Sequence, residues 1–232
     1  MKQKKEKRGQ FIIIAVLLAA IMIVSIGAIM HTAVTYYKHE PWEEYSTLIG
    51  DIEINTRRLL ELSLANYTNS IIGEEDETIL DTNIEKFQTD LTKIYPGSGI
   101  VLNCLSSSLQ TNIRNPRATA DFKLDITEIG LSGYEFSLTT SLSLTVIGAT
   151  NSTSTDYTIT AVVISESGNP VPKLNKNNFM INDAPVTSVH PSLDESNDLV
   201  YNINYQGTFP AKVEVWDQRG IRAEDSIFSL TP

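Results

Sequence analysis

An unbroken apolar run near the N-terminus constrains this chain more than any other feature. From Phe11 to Met30, twenty residues carry no charge, and twelve of them are Ile, Leu, Val or Phe. A helix of that length spans about 30 Å, the thickness of the hydrocarbon core of a bilayer. The uncharged stretch continues to Tyr37. The sequence therefore predicts a transmembrane helix over residues 11–37.

Charge is distributed unevenly about this run. Residues 1–10 hold five of the 18 basic residues and one of the 28 acidic ones, which leaves 13 basic and 27 acidic residues for the rest. Because basic flanks mark the cytoplasmic side of a span, we predict a single-pass protein of the cell membrane. Residues 1–10 form a cytoplasmic leader and the acidic bulk is extracellular, on the cell surface. The lipid bilayer is one expected partner, and nucleic acid, which an acidic surface repels, is not.

The junction Lys7-Arg8-Gly9-Gln10, followed at once by the apolar run, resembles the class III signal peptide of archaeal type IV pilins. The resemblance implies that a prepilin-type peptidase cuts between Gly9 and Gln10. It also implies that the N-terminal helix mediates self-association or contacts a pilus or secretion machinery. Ile14 stands where many of these pilins have a glutamate, at the fifth position of the mature chain.

Residues 38–148 are predicted to form a pilin-like domain with a helical stalk and antiparallel strands. Five apolar residues follow spacings of four and three, which is typical of one helix face: Leu80, Ile84, Phe87, Leu91 and Ile94. From residue 99 the period changes to two, the period of a strand with one buried face. This alternation is clearest at Phe122, Leu124 and Ile126.

Residues 149–155 are small and polar and predict a linker. Beyond them, over residues 156–232, short alternating segments recur between turns, and this spacing resembles prokaryotic immunoglobulin-like surface modules. The clearest alternation is Leu199, Tyr201, Ile203 and Tyr205. The predicted fold class is therefore α+β, with an N-terminal transmembrane helix, a helical stalk with an antiparallel β region, and a C-terminal immunoglobulin-like β-sandwich.

The sequence contains no recognisable catalytic, nucleotide-binding or metal-binding motif. We therefore predict no enzymatic activity, no catalytic residue, no cofactor and no metal ligand. Two N-x-[ST] sequons, at Asn66 and Asn151, are candidate glycosylation sites. The acidic run at residues 74–77 suits the start of a helix.

Two functions remain open at this point. One is a non-enzymatic, membrane-anchored surface component, pilin-like or pseudopilin-like, that presents an extracellular β domain. The alternative is a monomeric membrane-tethered adhesion or binding module that does not assemble into a filament.

Overall fold

The computed structural model describes residues 16–32, 42–70, 78–110, 112–151, 153 and 155–230. The chain divides into two compact units, Met1–Asp51 and Ile52–Pro232. The first unit contains the helical residues 16–32, which we name α1. The leader residues Lys7, Arg8, Gly9 and Gln10 and the acidic run at 74–77 lie outside the described residues.

The predicted transmembrane helix over residues 11–37 is wrong. Within the described part of the chain, no helix is long and apolar enough to cross a membrane. This finding also overturns the predicted localisation as a single-pass protein of the cell membrane with an extracellular bulk.

Two further helices and ten strands make up the rest of the described structure. The helices are α2 (Trp42–Thr68) and α3 (Ile79–Ile94). The strands are β1 (Ile100–Gln110), β2 (Arg117–Ile126), β3 (Leu131–Asn151), β4 (Asp156–Ser165), β5 (Phe179–Ile181), β6 (Ala184–Pro185), β7 (Ser188–Leu193), β8 (Leu199–Gln206), β9 (Ala211–Trp216) and β10 (Arg222–Ile227). Short 3-10 turns lie at Thr127–Ile129 and Lys176–Asn178.

The helical period at residues 80–94 and the strand period at 122–126 are confirmed. Leu80, Ile84 and Leu91 are buried on α3, although Ile94 at its end is exposed. Helix α3 packs against β1, and the Asn83 side chain of α3 donates a hydrogen bond to Ser63 of α2 at 2.9 Å. Helix α3 and the α2 residues from Ile52 onward therefore belong to the second unit and do not form the predicted stalk.

The strands form two antiparallel sheets. The larger has six strands in the order β1-β2-β3-β4-β8-β7, and the smaller has four in the order β10-β9-β5-β6. Apolar residues that alternate along β4, β8 and β9 are buried: Ile159, Ala161, Val163, Tyr201, Ile203, Tyr205, Val213 and Val215. The rings of Phe179 on β5 and Tyr201 on β8 lie 5.7 Å apart, so the two sheets share a core.

The 21-residue strand β3 explains why the predicted fold class is wrong. Its first half pairs with β2, from Leu131 to Ser141, and its second half pairs with β4, from Leu142 to Asn151. The strands before and after residues 149–155 consequently lie in one sheet. The described residues form a mostly β fold with two antiparallel sheets. Among these residues there is neither the predicted helical stalk nor the predicted separate C-terminal immunoglobulin-like sandwich.

Candidate functional site

The outer face of the larger sheet carries two rows of polar side chains that run across β4, β8 and β7. We call the six residues in these rows the polar face. In the first row, Thr158 on β4 lies opposite Asn204 on β8, and Asn204 lies opposite Ser188 on β7. The second row contains Thr160 and Asn202, which lie opposite each other, and Ser192, which lies opposite Val200, whereas His190 of β7 lies opposite Asn202. The opposite sides of β4 and β8 form the core, because side chains alternate between the faces of a strand.

Hydrogen bonds connect each row from strand to strand. In the first row, the Thr158 hydroxyl donates to Asn204 Oδ1 at 2.9 Å, and Asn204 Nδ2 donates to Ser188 Oγ at 2.9 Å. In the second row, the Thr160 hydroxyl donates to Asn202 Oδ1 at 2.9 Å, and Asn202 Nδ2 donates to Ser192 Oγ at 2.8 Å. Both asparagine side chains are therefore fixed, and each keeps one amide hydrogen and one lone pair outside these bonds.

A cavity of about 300 Å³ adjoins the first row only. Its lining residues come from the start of β4, the end of β8 and the residue just before β7: Asp156, Tyr157, Thr158, Thr187, Asn204, Tyr205 and Gln206. Asp156 is the one ionisable carboxylate among them. Asn204 lines the cavity, whereas Asn202, in the same position of the second row, does not.

Asp156 is held from one side. Its Oδ2 accepts a hydrogen bond from the Thr153 hydroxyl at 2.7 Å, and its backbone N–H donates to the same hydroxyl oxygen at 3.1 Å. Its Oδ1 is buried and has no hydrogen-bond partner. A buried acceptor without a donor is uncommon in folded proteins, since it loses its hydration without compensation.

Tyr157 and Tyr205 also border the cavity, but their rings lie on the core side of β4 and β8, opposite to Thr158 and Asn204. The Tyr157 ring lies 5.6 Å from the Phe209 ring. Tyr205 is buried, and its hydroxyl accepts a hydrogen bond from Asn182 Nδ2 at 3.4 Å. A Cβ atom at Gly207 would lie 2.0 Å from the Tyr205 hydroxyl oxygen. Only glycine at position 207 therefore permits this position of the Tyr205 ring.

Ion pairs with at least one buried or partly buried carboxylate connect the sheets elsewhere. Asp225, which is 7% exposed, accepts from Arg114 Nε at 2.6 Å and from the backbone N–H of Val146 at 2.9 Å. Arg219 pairs with Asp217 at 2.7 Å and with Glu166 at 2.8 Å. Burial opposes ionisation of Glu166, but its bonds from Arg219 and from backbone N–H groups outweigh burial and lower its pKa.

The residues singled out from the sequence are not brought together. Asn66 and Asn151 are both exposed, one on α2 and one at the end of β3. Cys104, the single cysteine of the sequence, is half-buried, its thiol donates to the Ser106 carbonyl at 3.3 Å, and burial raises its pKa. Among the residues with a described structure, no group of three or more His, Cys, Asp or Glu side chains could hold a metal ion.

The polar face and its cavity were not among the features predicted from the sequence. The signal was present as Thr158-x-Thr160 and Asn202-x-Asn204, where each polar pair has the period of one strand face. Comparison of the chain with models of known protein families, with curated proteins and with solved structures finds no match. A function for this chain is therefore inferred from its own sequence and structure.

Proposed function

We propose that this chain is a non-enzymatic, pilin-like subunit that associates with other copies of itself through α1 and displays the β-rich unit Ile52–Pro232. One observation carries the proposal. The ten large apolar side chains of α1 are all between 53% and 71% exposed. Contiguous apolar surface of this kind is a feature of interaction sites, because leaving it in water is unfavourable.

The composition of α1 favours other copies of the same helix as its partner. Residues 16–30 contain no charged side chain, so parallel identical helices can approach without repulsion between like charges. Gly27 has no heavy atom within 4 Å of the place where a Cβ would lie, and a small residue there allows a second helix to approach closely. The resemblance of residues 7–10 to a pilin processing site supports the same proposal.

The proposal includes processing between Gly9 and Gln10 by a prepilin-type peptidase. Mass spectrometry of the N-terminal peptide from the native source tests this step. A mature chain that begins at Gln10 supports it, and a chain that retains Lys7 and Arg8 contradicts it.

Self-association is tested by sedimentation velocity and electron microscopy on the intact chain. We expect large assemblies that dissociate when a charge is placed on α1 by Ile23→Lys, because Ile23 is 71% exposed. The matched control is Leu193→Lys on β7, where the side chain is 62% exposed but lies in the other unit. Assemblies that survive Ile23→Lys unchanged would contradict the role of α1.

The second candidate function is a monomeric binding or adhesion module. The polar face and its cavity favour this candidate, because their geometry requires no second copy. An intact chain that sediments as a monomer would select it over the pilin-like subunit.

A further inference from the structure

The cavity beside the first row of the polar face has the size of a small-molecule site. Its volume is about 300 Å³, at the lower end of the roughly 300–1,000 Å³ found for such sites. This volume accommodates one compact ring. We propose that the cavity binds a neutral sugar ring.

The lining offers the hydrogen-bonding groups that a sugar requires. Each sugar hydroxyl both donates and accepts, so its site needs donors and acceptors side by side. Asn204 and Gln206 provide planar amides, Thr187 provides a hydroxyl, and Asp156 provides a carboxylate. A planar amide has two polar atoms and can contact two adjacent hydroxyls.

Asp156 places a fixed carboxylate at the edge of the cavity. Its Oδ2 accepts a hydrogen bond from the Thr153 hydroxyl at 2.7 Å. Its Oδ1 is buried and makes no hydrogen bond, so this oxygen lies out of reach of a ligand in the cavity.

The lining is also fixed before a ligand arrives. Asn204 is held by Thr158 on one side and Ser188 on the other, both at 2.9 Å. Asp156 is held by Thr153 through its carboxylate and its backbone N–H. Binding therefore requires little further ordering of these side chains. The entropy lost in ordering flexible polar side chains is otherwise a main free-energy cost of binding.

Charge selects a neutral sugar over an anionic one or a cation. Asp156 and the net charge of −10 of the chain repel sulfated and uronic sugars. A calcium ion takes six to eight oxygen ligands, usually with several carboxylates. Asp156 is the single carboxylate in the lining, and no cluster of three or more ionisable ligands occurs within the described ranges.

This inference deepens the proposed function, since it rests on unit Ile52–Pro232 being displayed for binding and names the ligand class. It is tested on the intact chain by saturation-transfer NMR with the methyl glycosides of glucose, galactose, mannose and N-acetylglucosamine. A single sugar ring has few heavy atoms, so at least one glycoside should bind with a Kd on the order of 1 mM.

The two asparagines of the polar face provide a matched pair of variants. Asn204→Ala should raise the Kd at least about tenfold, the effect of losing one good hydrogen bond. Asn202→Ala breaks the equivalent row away from the cavity and should change the Kd by no more than about twofold. If Asn204→Ala does not fold, Gln206→Ala replaces it, because Gln206 is exposed and also lines the cavity.

Three results would overturn the inference. In the first, the folded chain binds none of the four glycosides. In the second, Asn202→Ala and Asn204→Ala weaken sugar binding equally. In the third, calcium chloride alone shifts the NMR resonances of Asp156 and none of the sugars shifts them. An unmodified chain that stays monomeric but binds a sugar would contradict the proposed assembly through α1 and leave this inference intact.

Discussion

Arg219 connects the turn between β9 and β10 to the larger sheet. Its Nε donates to Asp217 at 2.7 Å, and its Nη1 donates to Glu166 at 2.8 Å and to the Thr140 hydroxyl at 3.0 Å. Its Nη2 donates to the Ser141 carbonyl at 3.0 Å. Arg219→Met keeps most of the side-chain length and removes all four of these contacts.

The expected loss follows from what the substitution leaves behind. The Asp217 side chain is 3% exposed and the Glu166 side chain 23%, so one carboxylate remains almost fully buried without its cation. Removing one partner of a buried ion pair costs about 3–5 kcal/mol. Because Arg219 itself is 20% exposed, we expect the lower end, about 3 kcal/mol in the free energy of unfolding. This corresponds to a Tm lower by roughly 6–12 °C for a unit of this size.

Urea denaturation of the intact chain, followed by tryptophan fluorescence, measures this loss. The control is Lys93→Met on α3, since Lys93 and Asp90 form a pair at 3.1 Å with both side chains more than half exposed. That substitution should cost less than about 1 kcal/mol. The double variant Arg219→Met with Asp217→Asn should recover about 1 kcal/mol or more, since it also removes the buried charge. A loss for Arg219→Met as small as the control would refute the reasoning.

Two other predictions follow from the same structure. Because the pKa of Glu166 is lowered in the folded state, its ion pair stabilises the fold above the ordinary glutamate pKa of about 4.3, and this stability is lost as pH falls through the folded pKa. Glu166→Gln should therefore be less stable than the parent at pH 7 and approach it in acid, as measured by urea midpoints across pH; a constant difference would contradict this. Gly207→Ala should displace the Tyr205 ring, whose hydroxyl oxygen would lie 2.0 Å from the new Cβ, and should cost about 1–3 kcal/mol as an overpacked site. The control is Gly50→Ala on α2, where a Cβ would meet no atom within 4 Å; a Gly207→Ala variant as stable as this control would contradict the role of Tyr205.

Local periodicity identified several elements correctly. Phe122, Leu124 and Ile126 alternate with polar residues and are buried on β2. Leu80, Ile84 and Leu91 have helical spacing and are buried on α3. These features could be predicted because the period of side-chain burial is set by the backbone geometry of a single helix or strand.

Strand pairing could not be predicted in the same way, and the error in fold class arose there. A period of two shows which face of a strand is buried, but it does not show which strand lies beside it. The small polar residues at 149–155 were interpreted as a linker, yet Thr150 and Asn151 pair with Thr158 and Tyr157 across a hairpin. The single long strand β3 joins what the sequence divided into two domains.

The candidate site shows the same division. The sequence by itself determined that Thr158 and Thr160 share one face of a strand and that Asn202 and Asn204 share one face of another. Only the tertiary structure decided that these two strand faces lie side by side on the same face of one sheet. Thr158 and Asn204 are 46 residues apart, and their hydrogen bond exists because β4 pairs with β8 in one particular register. The cavity that distinguishes Asn204 from Asn202 forms only where β4, β8 and the start of β7 converge, because its walls come from three separate segments of the chain.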